Sequence, residues 1–233
     1  MAQKVLMIVG PTAVGKTTLS IKLAQKFNGQ VVSGDSMQVY QKLDIGTAKV
    51  TTEEMQGIPH YLLDEIPIDQ RFSVADFIDR TKKAISKIAA QDALPMLVGG
   101  TGFYLQSLID DFHFGNDQYQ DDHLRNQLHQ YAEEHGQQAL WDQLDQIDPV
   151  AAAKIPVTNE RRVIRALEVF EKTGKKFSVQ RDHANDTYDF LIIGLNTERA
   201  VLYERINHRV DLMVKDGVLD EARYLYENGG SKL

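Results

Sequence analysis

The stretch Gly10-Pro11-Thr12-Ala13-Val14-Gly15-Lys16-Thr17 constrains this chain more than any other. It fits the G-x-x-x-x-G-K-[ST] pattern and follows directly on the apolar run Val5–Val9. A buried strand there delivers the chain into a glycine-rich turn, and a helix begins at Lys16. Backbone N–H groups of the turn and the positive end of the helix then face one point in space, which suits a phosphate. Lys16 can reach two phosphoryl groups, and the Thr17 hydroxyl can ligate Mg²⁺. The pattern specifies a polyphosphate, not which one.

The periodicity places further elements in alternation. Lys16–Phe27 reads as a helix, with Leu19, Leu23 and Phe27 at helical spacing. Gln30–Ser33 is a short strand running into Gly34-Asp35-Ser36. The segment to Met55 is loop-rich, and Tyr61–Ile66 reads as a strand. Ser73–Ala90 is a helix capped by Ser73 with Asp76 three residues on. Leu94–Val98 is a buried strand ending in Gly99-Gly100-Thr101-Gly102, and a helix follows from Phe103. Strands alternating with helices predict a parallel sheet covered on both faces. Ligands of such sheets bind beyond the carboxyl ends of the strands. The phosphate loop, Asp35 and Thr101 each follow a predicted strand and should gather there.

The character changes near His113. Residues 118–148 are polar and rich in Gln and His, with helical patches such as Leu124, Leu128 and Tyr131. Asp148-Pro149-Val150-Ala151-Ala152-Ala153 and a helix over Asn159–Thr173, closed by Gly174, follow. The run Phe190–Leu195 returns to strand character, with helices at Glu198–Lys215 and Val218–Glu227. The predicted fold is therefore α/β: a P-loop NTPase-like parallel sheet flanked by helices, with an inserted all-helical domain. Its parts are a core over 1–112, the helical insertion over 113–187 and a continuation of the core over 188–233.

Asp35 ends a short apolar strand and can stand near the phosphate loop, as a general base or as a holder of Mg²⁺ through water. A turn-capping aspartate fits the same position. Thr101 can donate to a leaving-group oxygen, or simply cap the helix after the turn. Leu94–Val98 ends in glycine rather than in the aspartate that orders Mg²⁺ in a nucleotide hydrolase, which argues against that class. Arg161, Arg162 and Arg165 lie on one helix and fit either a nucleic-acid backbone or a solvated face salted by Glu160, Glu168 and Glu171. Arg205 and Arg209, one turn apart with Met213 one turn further, fit a clamp over a diphosphate or surface ion pairs with Glu204 and Asp211. His113, His123, His129 and His135 match no metal spacing and read locally as structural or surface residues.

Bulk properties narrow the class. With 42% hydrophobic and 25% charged residues, the chain reads as globular, and no apolar run approaches a membrane span. Met1-Ala-Gln-Lys leads straight into the first strand, leaving no room for a signal peptide. The chain has no cysteine, which excludes disulfides and thiolate metal sites. Cytoplasm is the expected compartment. The net charge of −7 argues against a uniformly basic coat but not against a local basic face.

Read together, these stretches resemble the tRNA dimethylallyltransferase (tRNA isopentenyltransferase) family. The matching segments are G-P-T-A-V-G-K-T at Gly10–Thr17, D-S-M-Q-V-Y at Asp35–Tyr40, D-I-G-T-A-K at Asp44–Lys49 and H-Y-L-L-D at His60–Asp64. They continue with S-V-A-D-F at Ser73–Phe77, L-V-G-G-T-G-F-Y at Leu97–Tyr104, D-P-V-A-A-A at Asp148–Ala153 and R-R-V-I-R-A-L-E-V-F at Arg161–Phe170. Each is modest alone; their collinear order over nearly the whole chain is specific.

The resemblance implies transfer of a dimethylallyl group from its diphosphate to the exocyclic amine of adenosine 37 in tRNA, with Mg²⁺. It implies that Gly10, Pro11, Thr12, Ala13, Val14, Gly15, Lys16 and Thr17 hold the donor diphosphate rather than ATP, with Thr17 on the metal. Asp35 takes the amine proton, and Thr101 and Arg209 assist the departing pyrophosphate. Asp35, Ser36, Met37, Gln38, Thr101, His123, Arg161, Arg162 and Arg165 meet the anticodon stem-loop. The expected partners are tRNA and dimethylallyl diphosphate, with no membrane, and the expected state is a monomer. Family members continue past the position of Leu233 with further helices, so a fragment is one reading of this chain. Two other classes stay open from residues alone: a nucleotide-dependent phosphotransferase on the same loop, and a non-catalytic RNA-binding remnant.

Overall fold

Five short segments pair side by side, which satisfies their backbone N–H and C=O groups in one ladder. In the computed structural model, which describes residues 2–110, 122–179 and 187–228, these are β1 Gln3–Val9, β2 Gly29–Ser33, β3 His60–Tyr61, β4 Leu94–Gly99 and β5 Tyr188–Gly194. Helices α1 Lys16–Phe27, α2 Thr52–Met55, α3 Val74–Ala89 and α4 Gly102–Ile109 intervene. The chain then runs through α5 Asp122–His135, α6 Gln137–Ile147, α7 Pro149–Ala152 and α8 Glu160–Thr173. It ends in α9 Arg199–Lys215 and α10 Val218–Glu227. The sheet is entirely parallel, in the order β3-β2-β4-β1-β5. Met96 of β4 lies between Val31 of β2 and Leu6 of β1, and all three are buried. This is the α/β class that the alternation predicts.

The first unit joins residues 2–110 to 187–228. In it, α3 buries Phe77, Ile78, Thr81, Ala84, Ile85 and Ile88 along one face and starts at a full capping box of Ser73 and Asp76. The strand read over Tyr61–Ile66 is shorter than expected. His60 and Tyr61 pair with Val31 and Val32, and Ile66 rejoins through an isolated parallel bridge to Tyr40. Beyond Tyr61, Leu62 and Asp64 take left-handed backbone (φ 59° and 54°), and Glu65 accepts the Leu62 N–H. Asp64 turns out of the sheet toward the buried ammonium of Lys49. The loop-rich stretch also holds one helical turn, α2, set by the reciprocal cap of Thr51 and Glu54.

Two strand ends approach unusually closely at the carboxyl edge of the sheet. A Cβ on Gly99 would lie 2.2 Å from the Gly34 carbonyl oxygen, so nothing larger than hydrogen fits there. Gly34 N–H donates to Val98 O at 2.8 Å, and Thr101 N–H donates to Gly34 O at 3.3 Å. The loops leaving β2 and β4 are thereby stitched together before either carries a functional side chain.

The second unit spans residues 122–179 among those described. Leu140, Leu144, Ile155, Val163, Ile164 and Leu167 form its core, with Trp141 Nε1 donating to Ile155 O at 2.8 Å. Helix α8 runs from an Asn159 cap to Gly174 in left-handed conformation, as the sequence predicts. Its buried Glu168 takes both Nε and Nη2 of Arg125, at 2.9 and 3.0 Å. Asp148, 1% exposed, caps α7 through Ala151 N–H and accepts both the N–H and the hydroxyl of Ser178. The predicted start of the helical region at His113 lies outside the described residues.

Burial pushes the Asp148 carboxyl up, but the Ser178 and Ala151 hydrogen bonds and the Lys176 charge outweigh it, leaving a net value below the ordinary 3.8. A depressed carboxyl contributes stability that is fully present above its unfolded-chain value and is lost as pH falls through its folded value. Asp148→Ala is expected to destabilise the helical unit by about 3 kcal/mol at neutral pH in urea unfolding. The gap from the unmodified chain should narrow as pH drops below about 4. Gly99→Ala is expected to cost about 3 kcal/mol in the same measurement, by forcing the β2 and β4 ends apart.

Candidate active site

The loop between β1 and α1 is built as an anion cradle. Gly15 occupies the N-cap of α1 in left-handed conformation (φ 103°), and no side chain caps the helix. The N–H groups of its first turn are thus left to a ligand. Lys16 folds back over the loop, its Nζ donating to Gly10 O at 2.9 Å and Pro11 O at 2.8 Å. Both bonds are to neutral carbonyls, so no anion in the loop neutralises the ammonium. Burial lowers the Lys16 pKa, the nearby Asp35 charge opposes that shift, and the Arg209 charge adds to it.

Asp35 follows β2 on a short turn. Its Oδ1 accepts the Met37 N–H at 2.9 Å, so it is the turn aspartate that local pattern allowed. It also lines the cleft beside Lys16, so the turn role and a place at the cleft are compatible. Thr101 occupies the N-cap position of α4 but makes no cap bond. Its Oγ1 instead accepts the Ser36 N–H at 3.1 Å, tying the Asp35 turn to the end of β4. Met37 is exposed, whereas Gln38 is held on both sides. The Gln38 amide oxygen accepts from Ser33 Oγ at 3.2 Å, and its nitrogen donates to Thr47 O at 3.1 Å.

The cleft has a volume of about 590 Å³. One wall is the phosphate loop, with Thr12, Ala13, Gly15, Lys16 and Thr17. The other is Gly46, Thr47 and Ala48, backed by Arg209 and Met213 of α9. Arg209 makes no ion pair with Glu204 or Asp211 among the described residues. It turns inward, Nη2 donating to Thr47 O at 3.4 Å, while its buried Nε has no partner. Burial lowers its pKa, and Asp35 partly offsets that. The cleft therefore holds two half-buried cations against one carboxylate, with an orphan N–H donor, an arrangement an anionic ligand completes.

The remaining predicted residues divide clearly. Gly10, Pro11 and Val14 shape the phosphate loop without lining the cleft, and Arg205 is exposed on α9. Arg161, Arg162, Arg165 and His123 lie in the helical unit. Arg161 and Arg162 are exposed, and no ion pair holds either of them among the described residues. Arg165 lies 3.7 Å from the buried Glu168. His129 pairs with Glu160 at 2.6 Å, and the His135 ring lies against Tyr131. Sequence reasoning gave no role to the wall Gly46-Thr47-Ala48, or to His60 and Leu63, which also line the cleft. The only signal was their place inside D-I-G-T-A-K and H-Y-L-L-D.

The sequence model described as "IPP transferase" matches residues 38–233. The tRNA dimethylallyltransferase of Ligilactobacillus salivarius is 55% identical over all of this chain and 76% of its own length. That of Enterococcus faecalis is 52% identical over 97% of this chain and 73% of its own. Among solved structures, the tRNA isopentenylpyrophosphate transferase of Bacillus halodurans is 49% identical with a TM-score of 0.67, covering 97% of this chain and 71% of that one. A eukaryotic dimethylallyltransferase acting on tRNA is 35% identical with a TM-score of 0.85, covering 97% and 56%. With the cradle, the carboxylate and the inward arginine in one cleft, and relatives this similar over nearly the whole of this chain, the chain belongs to the IPP transferase family.

Proposed function

We propose that this protein transfers a dimethylallyl group from dimethylallyl diphosphate to N6 of adenosine 37 in tRNA, releasing pyrophosphate. The observation that carries the reading is the joint placement of Asp35, Lys16 and Arg209 on one cleft built over a phosphate loop. The donor diphosphate lies against the first-turn N–H groups of α1, Lys16 and Arg209. The C–N bond forms between N6 and the first prenyl carbon as the carbon–oxygen bond to the diphosphate breaks. The amine proton passes to Asp35, whose Oδ2 has no partner among the described residues. An exocyclic amine is a poor nucleophile because its lone pair is delocalised, so proton removal as the bond forms raises its reactivity. The charge that develops on the leaving oxygen meets preorganised donors in a partly desolvated site. Thr101 acts through the turn it anchors.

Mg²⁺ fits this donor set. The Thr17 hydroxyl lines the cleft, makes no hydrogen bond among the described residues, and shares the cleft with the Asp35 carboxylate. A cation that keeps most of its waters needs few protein ligands. When bound, Mg²⁺ would neutralise diphosphate charge. The adenine must leave its stack to enter the cleft, and the exposed Arg161 and Arg162 offer phosphate contacts for the anticodon arm. No helix among the described residues is long and apolar enough to cross a membrane. The same reading places the enzyme in the cytoplasm, with its tRNA, as a monomer.

Asp35→Asn keeps an acceptor for the Met37 N–H and removes the base. Its kcat for prenylation of unmodified tRNA is expected to fall about 10²–10⁴-fold. Pyrophosphate affinity by calorimetry should hold or rise, since a negative charge leaves the cleft. Undiminished turnover would remove Asp35 as the base, and binding of ATP in preference to dimethylallyl diphosphate would overturn the substrate assignment. Lys16→Ala is expected to weaken pyrophosphate binding roughly tenfold to a hundredfold. Because the anion prefers charged Lys16 and burial lowers its pKa, affinity in the unmodified protein should decline with rising pH before 10.5 is reached. Lys16→Ala should lack that decline.

A further inference from the structure

The wall facing the phosphate loop has no regular secondary structure, yet it is held tightly from a distant part of the chain. Three consecutive backbone N–H groups, those of Asp44, Ile45 and Gly46, converge on the carboxylate of Glu221 in α10. Oε2 accepts from Asp44 at 2.7 Å and Ile45 at 2.8 Å, and Oε1 accepts from Gly46 at 2.8 Å. Such a run of convergent amides is an anion nest, and here a side chain some 175 residues away fills it. The fit is close. A Cβ on Gly46 would lie 3.2 Å from Glu221 Oε1.

The grip continues on either side. Lys42 Nζ donates to Tyr224 Oη at 2.8 Å and lies over that ring, and Tyr224 and Leu225 pack on the buried Val39, Tyr40 and Leu43. From α9, Arg209 donates to Thr47 O. The α9–α10 hairpin thus holds residues 42–47 at both ends, and Arg209 reaches the cleft from that same hairpin. None of the α10 residues that make these contacts lines the cleft.

We infer that Glu221 is a positioning residue for the donor diphosphate: by filling the amide nest of Asp44–Gly46 it sets the Gly46-Thr47-Ala48 wall, and with it Arg209, at the distance a diphosphate requires. The inference rests on the reading given under Proposed function. Glutamine at 221 would present an amide N–H₂ to at least one N–H donor of the nest and so open it. Aspartate keeps both oxygens and the charge on a shorter stem.

The test compares inorganic pyrophosphate binding by calorimetry and steady-state prenylation for the unmodified chain, Glu221→Gln, Glu221→Asp, Arg209→Ala and the Arg209→Ala/Glu221→Gln pair. Circular dichroism is the check on folding. Glu221→Gln is expected to weaken pyrophosphate binding about tenfold and to raise the KM for dimethylallyl diphosphate in step, with the KM for tRNA unchanged. Glu221→Asp should fall between. In the Arg209→Ala background the glutamine substitution should have little further effect, because the arm it sets is already gone. Unchanged pyrophosphate affinity in Glu221→Gln, or fully additive losses in the double variant, overturns the inference alone. If the glutamine variant does not fold, wild-type affinity in Glu221→Asp overturns it equally. An unmodified chain that binds no pyrophosphate overturns the functional reading and this inference with it.

Discussion

One buried ammonium holds the irregular half of the cleft together. Lys49 is 9% exposed, and its three N–H donors meet the Tyr40 carbonyl, Asp44 and Asp64. Burying a cation is costly unless every donor is satisfied, and here each one is. The consequence is geometric more than energetic. Asp44 opens the segment that forms the cleft wall, and Asp64 belongs to the turn after β3, so one side chain fixes both relative to the strand-like Tyr40. The wall facing the phosphate loop has almost no secondary structure to locate it. Side-chain to backbone bonds take over that task, from Lys49 on one side and Glu221 on the other.

Electrostatics in the cleft follow from this placement. Lys16 and Arg209 come from opposite walls and are both lowered in pKa, with burial the largest cause. Asp35 opposes the shift in each. The cleft therefore sets two half-buried cations against one carboxylate. A bound anion would add charge of the sign both cations lack, and the amides at the start of α1 would share it without titrating. The carboxylate that moderates both cations is the one proposed above as the base.

Much of the frame was legible in the sequence because it depends on local rules. The start of α1 at Lys16 follows from the glycine-rich turn. The limits of α8 follow from Asn159 and Gly174, and α3 follows from its Ser73–Asp76 box. Each signal lies within a few residues of what it specifies. The extent of β3 was misread because a local segment cannot show that Asp64 has a partner in Lys49. Thr101 shows the limit differently. Spacing offered a cap or a ligand contact; the cap bond is not made, and the hydroxyl oxygen accepts an N–H from the turn after β2. A bond across 65 residues leaves no periodic trace.

The site residues divide along the same line. Those on the phosphate loop and at strand ends could be found, because a parallel sheet gathers its carboxyl ends whatever else the chain does. Arg209 was ambiguous, since its helix also carries Glu204 and Asp211 as local partners; only the position of Thr47 decides that it points inward. Glu221 and Lys49 were invisible, because their partners are mainly backbone groups or residues in other loops. The D-I-G-T-A-K segment is where these strands of argument meet. Its aspartate and lysine bind each other, its glycine admits the Glu221 carboxylate, and the Thr47 carbonyl receives Gln38 and Arg209. A motif with no chemistry of its own can thus shape the cleft, because Gly46, Thr47 and Ala48 form the wall across from the phosphate loop.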